Sequence, residues 1–247
     1  INGLAMFSSR GPTTDGRIKP EIVAPGTNIL SNRSHVPGSE ELWGAYNADY
    51  TYSGGTSMST PLVAGAAGVT RQVLMQKYGF ASPSSMLVKA TLMHTATDMY
   101  PGQYGEGAPT QELKIRRPNS DEGYGRVDMA SLAGLSTATH FVDGVAVAQG
   151  ESQDITVSVA TGKLLINLVY NDAPGTPSAA VTLVNDLDLV VTGPDGKVYA
   201  SHDKINNHEI FEKSDLPAGD YKVSVQGVKV PMGLSGKQPY ALVYTSL

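Results

Sequence analysis

The spacing of apolar residues along this chain changes near residue 140, and the change predicts two kinds of structure. Before that point, apolar and small residues recur with helical spacing over residues 57–77, 84–98 and 127–135. Short segments bounded by Gly and Pro, at 18–24 and 28–31, are typical of strands. The first part of the chain is therefore predicted to mix helices and strands.

The second part shows the pattern of a protein built from strands alone. Apolar and polar residues alternate or cluster in short segments, and turn signals at 193–196 and 217–220 separate them. Because no helical pattern lies between these segments, we expect a β-sandwich or jelly roll. The predicted strands are 155–159, 164–170, 186–192, 221–226 and 240–244.

The first helix is predicted to begin beside Ser57. Proline is well tolerated only in the first turn of a helix, so Pro61 indicates a helix start near residues 56–58. Gly54 and Gly55 allow the chain to bend sharply into that start. Ser57 would then lie among outward-pointing N–H groups, where an arbitrary serine would only cap the helix.

The small residues inside this helix predict that it is buried. Gly65 and Gly68 should together destabilise it by about 2 kcal/mol relative to alanine. Close packing by neighbouring elements on several sides would offset that loss. The predicted packed face consists of Leu62, Ala66, Val69 and Val73.

Composition narrows the classes of function. The 247 residues include 18 basic and 23 acidic ones, and the net charge of −5 argues against nucleic-acid binding. No run approaches the roughly 18 apolar residues that a membrane span requires, so no membrane partner is expected. Cysteine is absent, which excludes disulfides, thiolate metal sites and a cysteine nucleophile.

Four segments of the first part carry motifs of one known family. Residues 55–61 read Gly-Thr-Ser-Met-Ser-Thr-Pro and resemble the motif G-T-S-M-A-x-P of subtilisin-like serine peptidases, with Ser59 in place of the usual alanine. Residues 7–12, 19–26 and 123–128 resemble F-S-S-x-G-P, K-P-D-I-x-A-P-G and G-x-G-x-V-D/N, in the family's order. The tail around 184–189 is similar to the C-terminal domain of secreted bacterial alkaline proteases of this family.

The resemblance implies a fold and a reaction. Residues 1–138 would be the C-terminal part of an α/β catalytic domain, and residues 139–247 a β-sandwich or jelly-roll domain. The implied activity is that of a secreted serine endopeptidase, which hydrolyses protein or peptide substrates through an acyl-enzyme on Ser57 and requires no cofactor for its chemistry. Gly55, Thr56 and Ser57 would form the active-site loop, with the Ser57 N–H as one oxyanion donor.

The other catalytic residues of the family are not found before Ser57. Family order is Asp, His, Ser, but His35, Asp15 and Asp49 lack the H-G-T and D-[ST]-G contexts. The oxyanion asparagine would lie before Phe7. We therefore expect a C-terminal fragment, inactive alone, whose partner is the missing N-terminal part of the catalytic domain carrying Asp, His and Asn.

Two acidic residues on one predicted strand indicate a cation site. Asp186 and Asp188 are two positions apart, so alternation puts both carboxylates on one face, where Asp172 and Glu209 could join them. Calcium favours six to eight oxygen ligands from such clusters. A structural calcium ion is one interpretation, and a solvated acidic edge is the alternative.

Two further hypotheses about function remain open. The chain could be a non-catalytic remnant whose β-sandwich acts as a binding module. It could also belong to a two-chain enzyme, cleaved before Ile1 with both pieces retained.

Overall fold

The structure, a computed structural model, describes residues 3–107, 109–160 and 162–247. These residues form more strands than helices. In chain order the elements are β1 (Ile29–Asn32), β2 (Tyr50–Ser53), α1 (Thr56–Gln76), α2 (Ser85–Thr95), α3 (Met129–Ala133), β3 (Thr139–Ala148), β4 (Ser152–Val159), β5 (Leu164–Tyr170), β6 (Asp186–Thr192), β7 (Val198–Ser201), β8 (His208–Lys213), β9 (Gly219–Lys229) and β10 (Lys237–Ser246).

The chain divides into two compact units whose segments are interleaved along the sequence. Residues 1–11, 18–69 and 96–127 belong to what we call the first unit. Residues 12–17, 70–95 and 128–247 belong to the second unit. The predicted boundary between residues 138 and 139 stays a prediction, although β3 begins at Thr139.

The second unit contains two four-stranded antiparallel sheets. One has the strand order β3, β10, β5, β8 and the other the order β4, β9, β6, β7. One apolar core joins residues of both sheets, among them Leu168 on β5, Leu187 on β6 and Val223 on β9. The alternating pattern of the sequence explains this core, because every second side chain of a strand points to the same face.

Helix α2 packs on the sheet of β5 and β10. The Ser84 hydroxyl accepts a hydrogen bond from the Leu87 N–H at 3.0 Å and thereby caps the helix N-terminus. Near its other end, His94 is buried and contacts Asn167 Oδ1 at 2.8 Å and Thr245 Oγ1 at 2.7 Å. The helix is thus fixed to the sheet by polar contacts at the edge of an apolar interface.

The first unit contains little regular sheet. Strands β1 and β2 pair antiparallel, and the predicted strand at 18–24 forms only an isolated parallel bridge, between Val23 and Arg126. A small apolar cluster of Leu4, Met99 and Leu113 lies in the same unit. The described residues therefore do not establish the predicted α/β arrangement.

The predicted packed face of α1 differs from the face that the described residues bury, which holds Ala66, Thr70 and Leu74. Leu62 is 42% exposed and Val69 is 45% exposed, although Ala66 is buried. A Cβ added at Gly65 or Gly68 would meet no atom of the structure within 4 Å. The small residues predict close packing against α1, but no described element packs over Gly65 or Gly68.

Four strands were missed by the periodicity argument: β2, β3, β7 and β8. β8 begins at His208, which is buried. Polar and turn-forming residues flank these strands closely, so no run of alternating residues was long enough to identify them.

Candidate active site

A sharp bend of the backbone leads into α1. Gly55 has φ of +144°, a conformation that residues with a side chain rarely adopt. Its N–H donates to the Gly26 carbonyl oxygen at 2.7 Å, which fixes the bend. The helix then begins at Thr56, so the predicted helix start is confirmed and Ser57 is its second residue.

Ser57 presents an exposed side chain beside free backbone donors. The N–H groups of Thr56 and Ser57 bond to no backbone carbonyl of the described residues, whereas the Met58 N–H donates to the Gly55 carbonyl at 3.1 Å. Free N–H groups at a helix N-terminus favour negative charge. Because the Gly55 N–H is already bonded, Gly55 supplies the bend and not a donor.

The segment at residues 19–26 is tied to the first turn of α1. The Ser59 hydroxyl lies 3.0 Å from the Ala24 carbonyl oxygen and 3.2 Å from that of Pro25. Together with the Gly55–Gly26 bond, this contact holds the segment against the residues on both sides of Ser57. The family's usual alanine could not make the Ser59 bond.

The segment at residues 123–127 completes this framework. The Tyr124 N–H donates to the backbone carbonyl oxygen of Glu21 at 2.9 Å, and the Val23 N–H donates to that of Gly125 at 3.0 Å. The Val127 N–H donates a hydrogen bond to the Val23 carbonyl oxygen at 2.8 Å. Three of the four motif segments are therefore joined by hydrogen bonds.

A buried carboxyl group supports the turn before that segment. Glu122 accepts hydrogen bonds from the Met99 N–H at 2.9 Å and from Asn119 Nδ2 at 3.1 Å. Burial raises the pKa of Glu122, because removal from water disfavours the charged form. The group therefore belongs to the scaffold of the site.

A cavity of about 560 Å³ adjoins this framework. Residues from all four motif segments line it, including Phe7, Pro25, Thr56 and Arg126. The head of α1 is consequently open on the side of Thr56.

The described residues supply no base for Ser57. Its hydroxyl makes no hydrogen bond to any of them. The exposed His35 ring contacts the Ala48 carbonyl oxygen and the Asp49 carboxylate, each at 3.1 Å.

The four predicted calcium ligands lie in the second unit. Burial raises the pKa of the Tyr170 hydroxyl, and the negative charges of Asp186, Asp172 and Glu209 raise it further. Asp188 is near enough to Asp186 and Glu209 to raise the pKa of each. The four carboxylates of the predicted cluster therefore lie in one region of the second unit.

Two of these carboxylates are occupied by backbone donors. Asp172 accepts hydrogen bonds from the N–H groups of Ala173, Val184 and Asn185 at 2.7–2.8 Å. Glu209 is 2% exposed and accepts from Leu189 at 2.6 Å and from Asp203 at 3.0 Å.

Two oxygen atoms of the cluster remain without partners. They are Oδ1 of Asp186 and Oδ1 of Asp188, both of them buried. The other oxygen of Asp188 contacts His202 Nδ1. Among residues 3–107, 109–160 and 162–247, no three acidic or histidine side chains have the geometry to hold a metal ion, so calcium stays a prediction.

Two residues that contact the segments at the head of α1 were not predicted. Ser59 was noted only as a departure from the motif, and Trp43 was not singled out. The signal for Trp43 was Gly54, because a glycine outside a turn can mark the close approach of another group.

Comparison with known proteins agrees with the motifs. The model of the subtilase family matches residues 2–125. The serine protease/ABC transporter B family protein tagA of Dictyostelium discoideum is 28% identical over 92% of this chain. The C5a peptidase of Streptococcus pyogenes serotype M3 is 40% identical over 89% of it.

The match covers only a small part of these relatives. The chain spans 14% of the length of tagA and 16% of that of the C5a peptidase. Among solved structures, PliG of Aeromonas hydrophila, a periplasmic lysozyme inhibitor, matches 44% of this chain. The match covers 85% of the PliG chain at 12% sequence identity, with a TM-score of 0.26.

No helix of the described residues has the length and apolar character needed to cross a bilayer.

Proposed function

The chain belongs to the subtilase family, and from this premise we propose that it supplies the nucleophile part of a serine endopeptidase. The observation that carries the proposal is the exposed Ser57 hydroxyl at the head of α1, beside the unbonded N–H groups of Thr56 and Ser57. Protein and peptide chains are the proposed substrates.

In the proposed reaction, Ser57 Oγ attacks the carbonyl carbon of the scissile peptide bond. Its proton passes to a base, and the bond to the amine breaks to leave an ester on Ser57, which water then hydrolyses. The carbonyl oxygen becomes negative during the attack, and the Ser57 N–H is placed to stabilise it. Loss of one such donor typically lowers the rate by about 10²–10³.

The base and its orienting carboxylate are proposed to come from polypeptide outside this chain, together with an asparagine donor. The unpartnered Ser57 hydroxyl supports this part of the proposal. The exposed Leu62 and Val69 and the open Gly65 and Gly68 support it too, because a further layer of protein over α1 would bury them.

Three narrower proposals accompany this function. The strand orders of the two sheets support a jelly roll in the second unit. Calcium, if bound there, would take the unpartnered oxygens of Asp186 and Asp188, with the remaining ligands drawn from carbonyl groups and water. Secretion remains a proposal that rests on the resemblance to secreted proteases.

Labelling with a fluorophosphonate tests the proposed function. The full-length protein is expected to react at Ser57 and to hydrolyse an internally quenched peptide, and Ser57→Ala should abolish both. The matched control is Ser53→Ala, a nearby serine before the bend, which should keep both activities. The 247-residue chain alone should show neither, because none of its described residues is placed to act as the base.

Two results would contradict the proposal. An unlabelled full-length protein would favour a non-catalytic binding module. Rapid peptide hydrolysis by the isolated chain would show that its own residues provide a base.

A further inference from the structure

Two sheet edges of the second unit lie beside each other. Strand β7 ends the order β4, β9, β6, β7, and strand β8 ends the order β3, β10, β5, β8. Within the part of the chain that the structure describes, β7 pairs with β6 alone. Every second backbone N–H and C=O group of β7 therefore points away from its own sheet.

A cavity of about 430 Å³ lies between these two edges. It is lined by residues 199–201 of β7 and 210–213 of β8. The Tyr199 and Phe211 rings meet edge to face, with centroids 5.7 Å apart and an interplanar angle of 68°. Because aromatic pairs prefer this arrangement, the cavity has a fixed aromatic wall beside the open edge of β7.

Two lysines lie against the Tyr199 ring. The ammonium group of Lys197 is 5.0 Å from the ring centroid, and that of Lys213 is 5.5 Å from it. Both lie within the roughly 6 Å over which an aromatic ring attracts a cation. The two positive charges are therefore at most about 11 Å apart. Neither ammonium group forms an ion pair with a residue that the structure describes.

Two acidic residues close to these lysines do not pair with them. Asp195 accepts a hydrogen bond from the backbone N–H of Lys197 at 3.0 Å. Glu212 also lines the cavity, but alternation along β8 puts its side chain on the face opposite to Phe211 and Lys213. The aromatic side of this edge is consequently basic.

From these observations we infer that the β7 edge binds an acidic polypeptide segment as an added strand. The outward backbone groups of β7 pair with the segment, and main-chain hydrogen bonds of this kind give such complexes their affinity. Alternate residues of a strand are about 7 Å apart. Two acidic side chains on one face of the segment can therefore each reach one of the two ammonium groups, Lys197 and Lys213.

The same charges disfavour a second copy of this chain as the occupant. Two β7 edges that paired with each other would bring the lysines of both copies together, and like charges on facing strands repel. An acidic segment instead neutralises the edge, so charge selects the partner.

Fluorescence anisotropy of a labelled peptide tests the inference on the 247-residue chain. The probe peptide alternates Glu and Thr, and a comparison peptide alternates Lys and Thr. The Glu peptide should bind and the Lys peptide should not. Lys197→Gln combined with Lys213→Gln should weaken binding of the Glu peptide about tenfold. Replacement of both lysines by arginine should retain most of the affinity, because the charge is kept.

Lys222→Gln combined with Lys237→Gln is the matched control, because it removes the same total charge. These lysines pair with Asp154 and Glu151 elsewhere in the second unit. Binding should therefore stay within about twofold of wild type. Equal losses in the two double variants would reduce the effect to net charge and overturn the inference. Absence of binding by the Glu peptide at about 1 mM would overturn it as well.

A modified backbone separates an added strand from charge attraction alone. N-methylation of two adjacent central residues removes a donor from each edge of the Glu peptide and leaves its carboxylates in place. This peptide should bind about tenfold more weakly, and equal affinity would overturn the added strand. All residues of the edge lie in the second unit and the measurement follows binding alone, so failure of the proposed function of Ser57 would leave this result unaffected.

Discussion

The two units differ in how many of the apolar side chains that the sequence places on one face are buried within the chain. In the second unit, Leu168, Leu187 and Val223 find partners across two sheets within one buried core. In the first unit, Leu62 and Val69 on α1 remain exposed, although their spacing predicted a packed face. The difference shows that an apolar pattern predicts that a face needs to be covered by other protein. It does not show that the covering protein belongs to the same chain.

Removal of one leucine from each region should give the largest contrast. Leu187→Ala in the fully buried core should lower the free energy of unfolding by about 2–5 kcal/mol, because it leaves a cavity. Leu62→Ala on exposed α1 should change it by less than about 0.5 kcal/mol. Urea unfolding followed by circular dichroism measures both, and equal losses would break the comparison.

The pH dependence of stability tests whether Glu209 is as deeply buried as the core around it. Burial raises its pKa to about 9 from an ordinary value of 4.5. The folded state therefore keeps a proton that the unfolded state releases, and the stabilisation is full below pH 4.5 and lost as pH rises through about 9. Unfolding free energy should fall between pH 5 and 9, by up to about 1.4 kcal/mol per pH unit.

Glu209→Gln should reduce this slope, since glutamine does not titrate, while Glu122 and Asp186, whose pKa values burial also raises, keep a part of it. Glu151→Gln is the control: Glu151 is exposed, and its hydrogen bond to Lys237 lowers its pKa, so this variant should keep the wild-type slope between pH 5 and 9. Denaturant unfolding at pH 5, 7 and 9 provides the measurement. A wild-type slope in Glu209→Gln would show that another group is responsible.

The smallest effect concerns the open glycines of α1. Gly65→Ala should stabilise the isolated chain by up to about 1 kcal/mol, because alanine favours the helix and nothing lies within 4 Å of the new methyl group. Gly227→Ala in the second unit should destabilise it, since its Cβ would lie 2.1 Å from the Ala148 carbonyl oxygen. Thermal unfolding of both variants tests this contrast.

The same Gly65→Ala substitution also tests whether further polypeptide packs over α1 in the full-length protein. In the full-length protein we expect it to destabilise, because an additional layer would approach the helix at that position. Stabilisation in both proteins would mean that no layer packs closely there.

Local features of the sequence predicted the head of the candidate site well. Pro61 and Gly55 restrict the backbone wherever they occur, so the start of α1 could be located without knowledge of the rest of the chain. The sheets of the second unit were predicted for a similar reason, since strand alternation is local. Membership of the subtilase family followed from short motifs whose order is also read along the chain.

Features that depend on distant partners could not be predicted in this way. The spacing of Asp186 and Asp188 placed them on one strand, but no local pattern shows that backbone N–H groups occupy Asp172 and Glu209. The exposure of α1 likewise depends on what surrounds it. Trp43 was not predicted because it lies eleven positions before Gly54, the residue that accommodates its ring.

The interleaving of the two units limits how this polypeptide can be divided. Residues 12–17 belong to the second unit, where the Thr182 hydroxyl donates a hydrogen bond to the Asp15 carboxylate. Helix α2 also belongs to the second unit, and its His94 contacts Asn167. A truncation at residue 138 would discard both segments and remove α2 from the sheet of β5 and β10, on which it packs. Biochemists who want the β-rich half alone should therefore keep 70–95 attached, or expect an insoluble product.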